Sequence, residues 1–90
     1  MSGEEIKWAW DEGVPVKVKD ILSGREYWYS RILEVIYWKD RHGFRRVSVL
    51  CVSGADMSSL RALSSDVSFA KKEDLERCHS ELNIQSTQAS

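Results

Sequence analysis

The sequence predicts a mostly β domain: a small SH3-like, twisted antiparallel barrel carrying a C-terminal α-helix. Three observations predict it. Apolar Val14, Val16 and Val18 alternate with Pro15, Lys17 and Lys19, the period of a half-buried strand. Two longer runs rich in aromatic and β-branched residues, 27–39 and 44–52, flank the tight-turn signal Asp40-Arg41-His42-Gly43. From Lys71 the period changes, and Leu75, Cys78, His79 and Leu82 fall at i, i+3, i+4 and i+7, one face of a helix.

Each element follows in order. Residues 1–6 are polar and acidic, and are expected to be flexible. Lys7-Trp8-Ala9-Trp10 alternates, then Asp11-Glu12-Gly13 signals a turn. Pro15 has no amide donor, which places it at a strand start or an edge. Ser23-Gly24-Arg25-Glu26 breaks the pattern before the long strand of residues 27–39. Gly43 can take positive φ in the turn that follows. In the partner strand, Val47, Val49 and Cys51 share a face. Residues 57–65 are small and Ser-rich, and read as a loop or a short helical turn. Residues 66–70 supply one more short strand. Glu73 and Asp74 stand near the start of the last helix, where the dipole favours acidic groups. The domain is expected to span residues 7–83, with 84–90 a disordered tail. In so small a core the barrel mouth is the place for a ligand.

Composition narrows the function. The 90 residues allow one domain, and a net charge of −1 gives no global reason to bind nucleic acid or an anionic membrane. No apolar run approaches the roughly 20 residues of a membrane-spanning helix. The polar, acidic start is not a secretory signal, so a reducing compartment is expected. Four Trp in so short a chain mark core, interface or pocket walls.

Catalytic patterns are missing from the sequence. His42 lies in a turn and His79 on a helix, and no Cys or carboxylate stands at a spacing that completes a zinc site with either. Cys51 reads as a small buried hydrophobe. Phosphate-binding Gly-rich motifs and paired carboxylates are not found. The expectation is a non-enzyme with no cofactor, no metal, no small-molecule substrate and no membrane partner.

Two residue sets remain. Lys39, Arg41, Arg45 and Arg46 flank the hairpin tip beside Trp38 and Phe44, a pattern that can hold a phosphate backbone and stack on bases. It equally suits a solvated tip that keeps strand edges apart. The aromatic set Trp8, Trp10, Tyr27, Trp28, Tyr29, Tyr37 and Trp38 can fill a core or wall a cage for a methylated ammonium.

The order of these pieces resembles a known family. Lys7-Trp8-Ala9-Trp10-Asp11-Glu12-Gly13-Val14 is similar to the opening of the chromobarrel domain of the MORF-related-gene and male-specific-lethal-3-like family. Trp28-Tyr29-Ser30-Arg31-Ile32-Leu33-Glu34-Val35 resembles its second strand, Lys39-Asp40-Arg41-His42-Gly43 its hairpin turn, and Val52-Ser53-Gly54 its Phe-Asn-Gly. Residues 67–82 resemble its closing element and acidic-started helix. The likeness spans about residues 7 to 82 and rests on order and spacing.

The resemblance implies a nuclear module that reads chromatin, binding methylated lysine on histone tails through an aromatic cage, in some members with DNA contacts. Carried over position by position, the cage keeps one wall at Trp28. The others fall on Val52, Ala55 and Ser59, or on Leu60 if the loop slips by one. Three readings follow. The first is an interaction module for a protein partner in a chromatin complex, its cage lost, with Trp8 and Trp10 or the Ser-rich loop as docking surface. The second is a barrel that binds DNA or RNA through Lys39, Arg41, Arg45 and Arg46. The third is a histone-tail reader with a cage rebuilt from Trp10, Tyr27, Trp28 and Trp38.

Overall fold

The structure, a computed structural model, describes residues 1–54 and 57–89, with side chains as far as Asn83. Its first element is a helix, α1 (Gly3–Glu12). It begins within residues 1–6, the segment expected to be flexible. Ser2 caps the helix: its Oγ accepts from the Glu5 amide at 3.2 Å, and the Glu5 carboxylate accepts from the Ser2 amide at 2.8 Å. Reciprocal capping of this kind satisfies two otherwise orphaned donors. Gly13 ends the helix in the left-handed region at φ 68, its amide donating to the Ala9 carbonyl. Ile6 and Ala9, three apart on one face, are fully buried.

Six strands follow in two antiparallel sheets. Strands β1 (Val16–Lys19), β2 (Glu26–Tyr29) and β6 (Val67–Phe69) form one sheet, in the order β2-β1-β6. Strands β3 (Arg31–Lys39), β4 (Arg45–Val52) and β5 (Ser59–Leu63) form the other, in the order β3-β4-β5. Consecutive β2 and β3 carry the chain from one sheet to the other, and a 3-10 turn (Ser64–Asp66) links β5 to β6. This is the arrangement of a small SH3-like barrel. The long strand expected over residues 27–39 is thus two strands that break at Ser30. There the Ser30 amide donates to the Val52 carbonyl at 2.9 Å, and its Oγ accepts from the Gly54 amide at 2.8 Å. A Cβ on Gly54 would lie 3.1 Å from that oxygen, so the close approach favours glycine. The Ser-rich segment, expected as a loop or a short helical turn, supplies strand β5, and its last residues open the 3-10 turn. The hairpin and the strand after residue 66 stand where they were expected.

A final helix, α2 (Lys72–Ala89), closes the fold. It runs past residue 83, through residues 84–89, where a tail was expected; residue 90 lies outside the described residues. Cys78 is fully buried, and Leu75 and Leu82 pack beside it against the core. That core joins Ile6, Trp8 and Ala9 of α1 to Val16, Val18, Ile32, Val49, Cys51, Val67 and Phe69 of the sheets. Desolvation pushes the Cys51 thiol up to about 11. Desolvation, then the charges of Glu5 and Glu81, push Cys78 up to about 11. Both thiols therefore stay protonated at neutral pH and act as small hydrophobes.

The two helices are also tied at the surface. His79 Nε2 lies 2.8 Å from Glu5 Oε2. The Ser2 amide is the largest influence on the Glu5 carboxyl; desolvation opposes it, and His79 adds to it, so the group sits below its ordinary value. A carboxyl depressed in the folded state stabilises above its unfolded-state pKa, and the effect is lost as pH falls through the folded value. Glu5→Gln is therefore expected to lower stability at neutral pH. The gap to the parent should close in acid, below the ordinary carboxylate value of 4.5. Urea unfolding midpoints at the two pH values check this.

Candidate functional site

The two sheets do not meet along their whole length. Between β1 and β2 on one side and β5 on the other lies a cleft of about 600 Å³. The strand period builds its walls. Register sets Tyr27 opposite Val18 and Tyr29 opposite Val16, so both tyrosines face the same side as the buried valines. Leu60 and Ala62 stand opposite Cys51 and Val49, which directs them inward from the other sheet. Ile21 and Leu63 extend the apolar lining. Lys19, Asp20, Arg61 and Asp66 add charges of both signs. Such a surface suits an apolar side chain of a peptide, with polar contacts around it.

The other aromatics are placed elsewhere. Trp28 is opposite Lys17, on the reverse side of β2 from Tyr27, and is 60% exposed. Trp10 projects from α1 and its Nε1 donates to the Leu33 carbonyl at 3.1 Å. A register shift between Ile32 and Glu34 releases Leu33 from the ladder and frees that carbonyl. Trp38 Nε1 donates to Ser48 Oγ at 2.8 Å on the second sheet. Of the rings weighed for a rebuilt cage, Tyr27 and Trp28 thus face opposite sides of β2, and Trp10 and Trp38 are each held by a partner of their own. Trp8 is only 7% exposed and lies inside the core, which removes it as a docking surface. Val52 is half-buried and pairs with Arg31 and Ser59, at the end of the second sheet. Ala55 lies outside the described residues. Ser59 does not line the cleft, whereas Leu60 and the rest of β5 do.

The hairpin tip is a second, separate feature. Asp40 organises it. Its Oδ1 accepts from the His42 and Phe44 amides at 2.9 and 3.0 Å, and its Oδ2 accepts from Arg46 Nε at 2.9 Å. Desolvation raises the Asp40 carboxyl, but the Arg46 guanidinium and the two amides outweigh it and hold the group below its ordinary value. Lys39 and Arg45 face each other across the strands. Tyr37, Trp38 and Val47 join them and Arg46 around a shallow hollow of about 480 Å³. Lys39, Arg41 and Arg45 have no ion-pair partner among the described residues.

Sequence reasoning missed part of the cleft. The signal for Tyr27 and Tyr29 was present: residues two apart on a strand share a face, so Trp28 between them belongs to the other. For Leu60 and Leu63 the signal was weak, since serines surround them. Among the described residues no group of three His, Cys, Asp or Glu is placed to hold a metal ion, and no helix is long and apolar enough to cross a membrane. No protein-family model, curated protein or solved structure matches the chain.

Proposed function

We propose that this chain is a non-catalytic protein-interaction module of chromobarrel-like build, acting within a nuclear chromatin complex and binding its partner by surface rather than by a methyl-lysine cage. The observation that carries the reading is the apolar cleft walled by Tyr27, Tyr29 and Leu60 beside strand β5, an outer strand of its sheet. An apolar anchor in such a cleft, with backbone pairing along the neighbouring edge, is a common mode of peptide recognition. The opposite facing of Tyr27 and Trp28, with Trp10 and Trp38 each held by its own hydrogen bond, supports the loss of the cage, because a cage needs several ring faces around one cation.

The test compares the parent domain with Leu60→Glu in affinity capture from nuclear extract, alongside titration with methylated and unmodified histone-tail peptides. Leu60→Glu sets a carboxylate in the cleft wall. It is expected to remove a defined set of chromatin proteins from the capture. Methylated and unmodified peptides are expected to bind alike. Capture that is indifferent to Leu60→Glu, or a tenfold preference for the methylated peptide (about 1.4 kcal/mol), overturns the reading.

A further inference from the structure

We propose that the tip of the β3–β4 hairpin binds single-stranded nucleic acid, with phosphates held by Lys39, Arg41 and Arg45 and bases stacked on Phe44 and Tyr37. This surface is distinct from the cleft, and the proposal stands without the reading above.

Three observations carry it. First, Lys39 and Arg45 are direct cross-strand partners. Like charges in that position destabilise a hairpin, and opposite charges would favour it. The fold tolerates the repulsion where an external anion can relieve it. Second, the tip contains a single carboxylate, that of Asp40, and two amides and Arg46 already occupy it. Lys39, Arg41 and Arg45 are all exposed and no carboxylate neutralises them. Third, Phe44 and Tyr37 are each 64% exposed, so both rings are open to a ligand. Tyr37 shares its hollow with Lys39 and Arg45. Cations beside open ring faces match a strand that offers phosphates and unstacked bases together. A duplex hides its base faces, and a simple anion has none.

Fluorescence anisotropy with a short labelled oligouridylate, its DNA counterpart, a duplex and inorganic polyphosphate tests the proposal on the full chain. Three neutralised phosphates give a slope of log affinity on log salt of about −2, so a fourfold rise in salt should weaken oligonucleotide binding about twentyfold. Phe44→Ala should weaken it about tenfold. Arg45→Glu should weaken it more than tenfold while raising the thermal unfolding midpoint, because it replaces a like-charge pair with an opposite one. The rise shows that the variant is folded. Preference for the duplex, polyphosphate binding as tight as oligonucleotide binding, affinity unmoved by Phe44→Ala, or a lowered midpoint for Arg45→Glu overturns it.

Discussion

Trp8→Ala is expected to destabilise the fold by about 3–5 kcal/mol, the range for removing a large aromatic from a packed interior. Domains of this size have only about 5–15 kcal/mol in total, so the variant should sit near the edge of folding at room temperature. The reason lies in what the indole touches. Its ring meets Phe69 edge-on, with centroids 5.8 Å apart and planes at 70°. The Arg77 guanidinium lies over it at 5.3 Å. Its Nε1 donates to the Glu81 carboxylate. One side chain therefore joins α1 to β6 and to two positions of α2. Trp8→Phe keeps the hydrophobic bulk but leaves the Glu81 carboxylate without its donor, so it should lose about 1–3 kcal/mol. Chemical denaturation of both variants checks the order; equal losses would refute the role given to the indole nitrogen.

Removal of residues 1–12 should have a larger effect still. The truncated chain is expected to lose its cooperative unfolding transition and to bind a hydrophobic dye. Without α1, the places filled by Ile6, Trp8 and Ala9 are vacated, and the core loses the cover that α1 gives against β3 and α2. Three buried side chains of this kind represent several kcal/mol of apolar burial at about 1.5–3 kcal/mol for each large one. Near-UV circular dichroism would record the loss of fixed tertiary packing. A truncated chain that unfolded as sharply as the parent would show that α1 merely rests on the barrel.

Much of this fold can be read from the residues, and the exceptions have physical causes. The hairpin is legible because Asp40 and Gly43 do local work: one carboxylate takes two turn amides, and a residue at φ 84 needs no side chain. The last helix is legible because Leu75, Cys78 and Leu82 keep a helical period. Helix α1 carries equally local signals, Ser2 with Glu5 three positions on and Gly13 after the last turn. Alternating Trp8 and Trp10 mask them, since aromatic residues every second position imitate a strand. The break at Ser30 depends on long-range geometry: a strand long enough for both sheets must bend where the barrel turns, and a contact to Gly54 fixes the place. Strand β5 is hidden because its short apolar run lies between Ser58 and Ser59 on one side and Ser64 and Ser65 on the other, and these say nothing about its neighbour β4. At the candidate site, the tyrosine pair follows from strand period alone, whereas the leucines opposite come into view only once β5 is paired.

The bridging of α1 to α2 has a consequence for how the chain reaches this state. The Trp8–Glu81 and Glu5–His79 contacts span 73 and 74 positions. Loop closure over such distances is entropically opposed until intervening segments have gathered. The β3–β4 hairpin, by contrast, closes over the five residues 40–44, between strands that neighbour each other in the chain. Folding should therefore begin at the hairpin and end with the first helix locking against the last, a slow step set by contact order rather than by helix propensity. During synthesis, a chain whose opening segment waits for its closing segment stays incompletely sheltered until residues near 81 have emerged, and its hydrophobic barrel is open to chaperones for that interval.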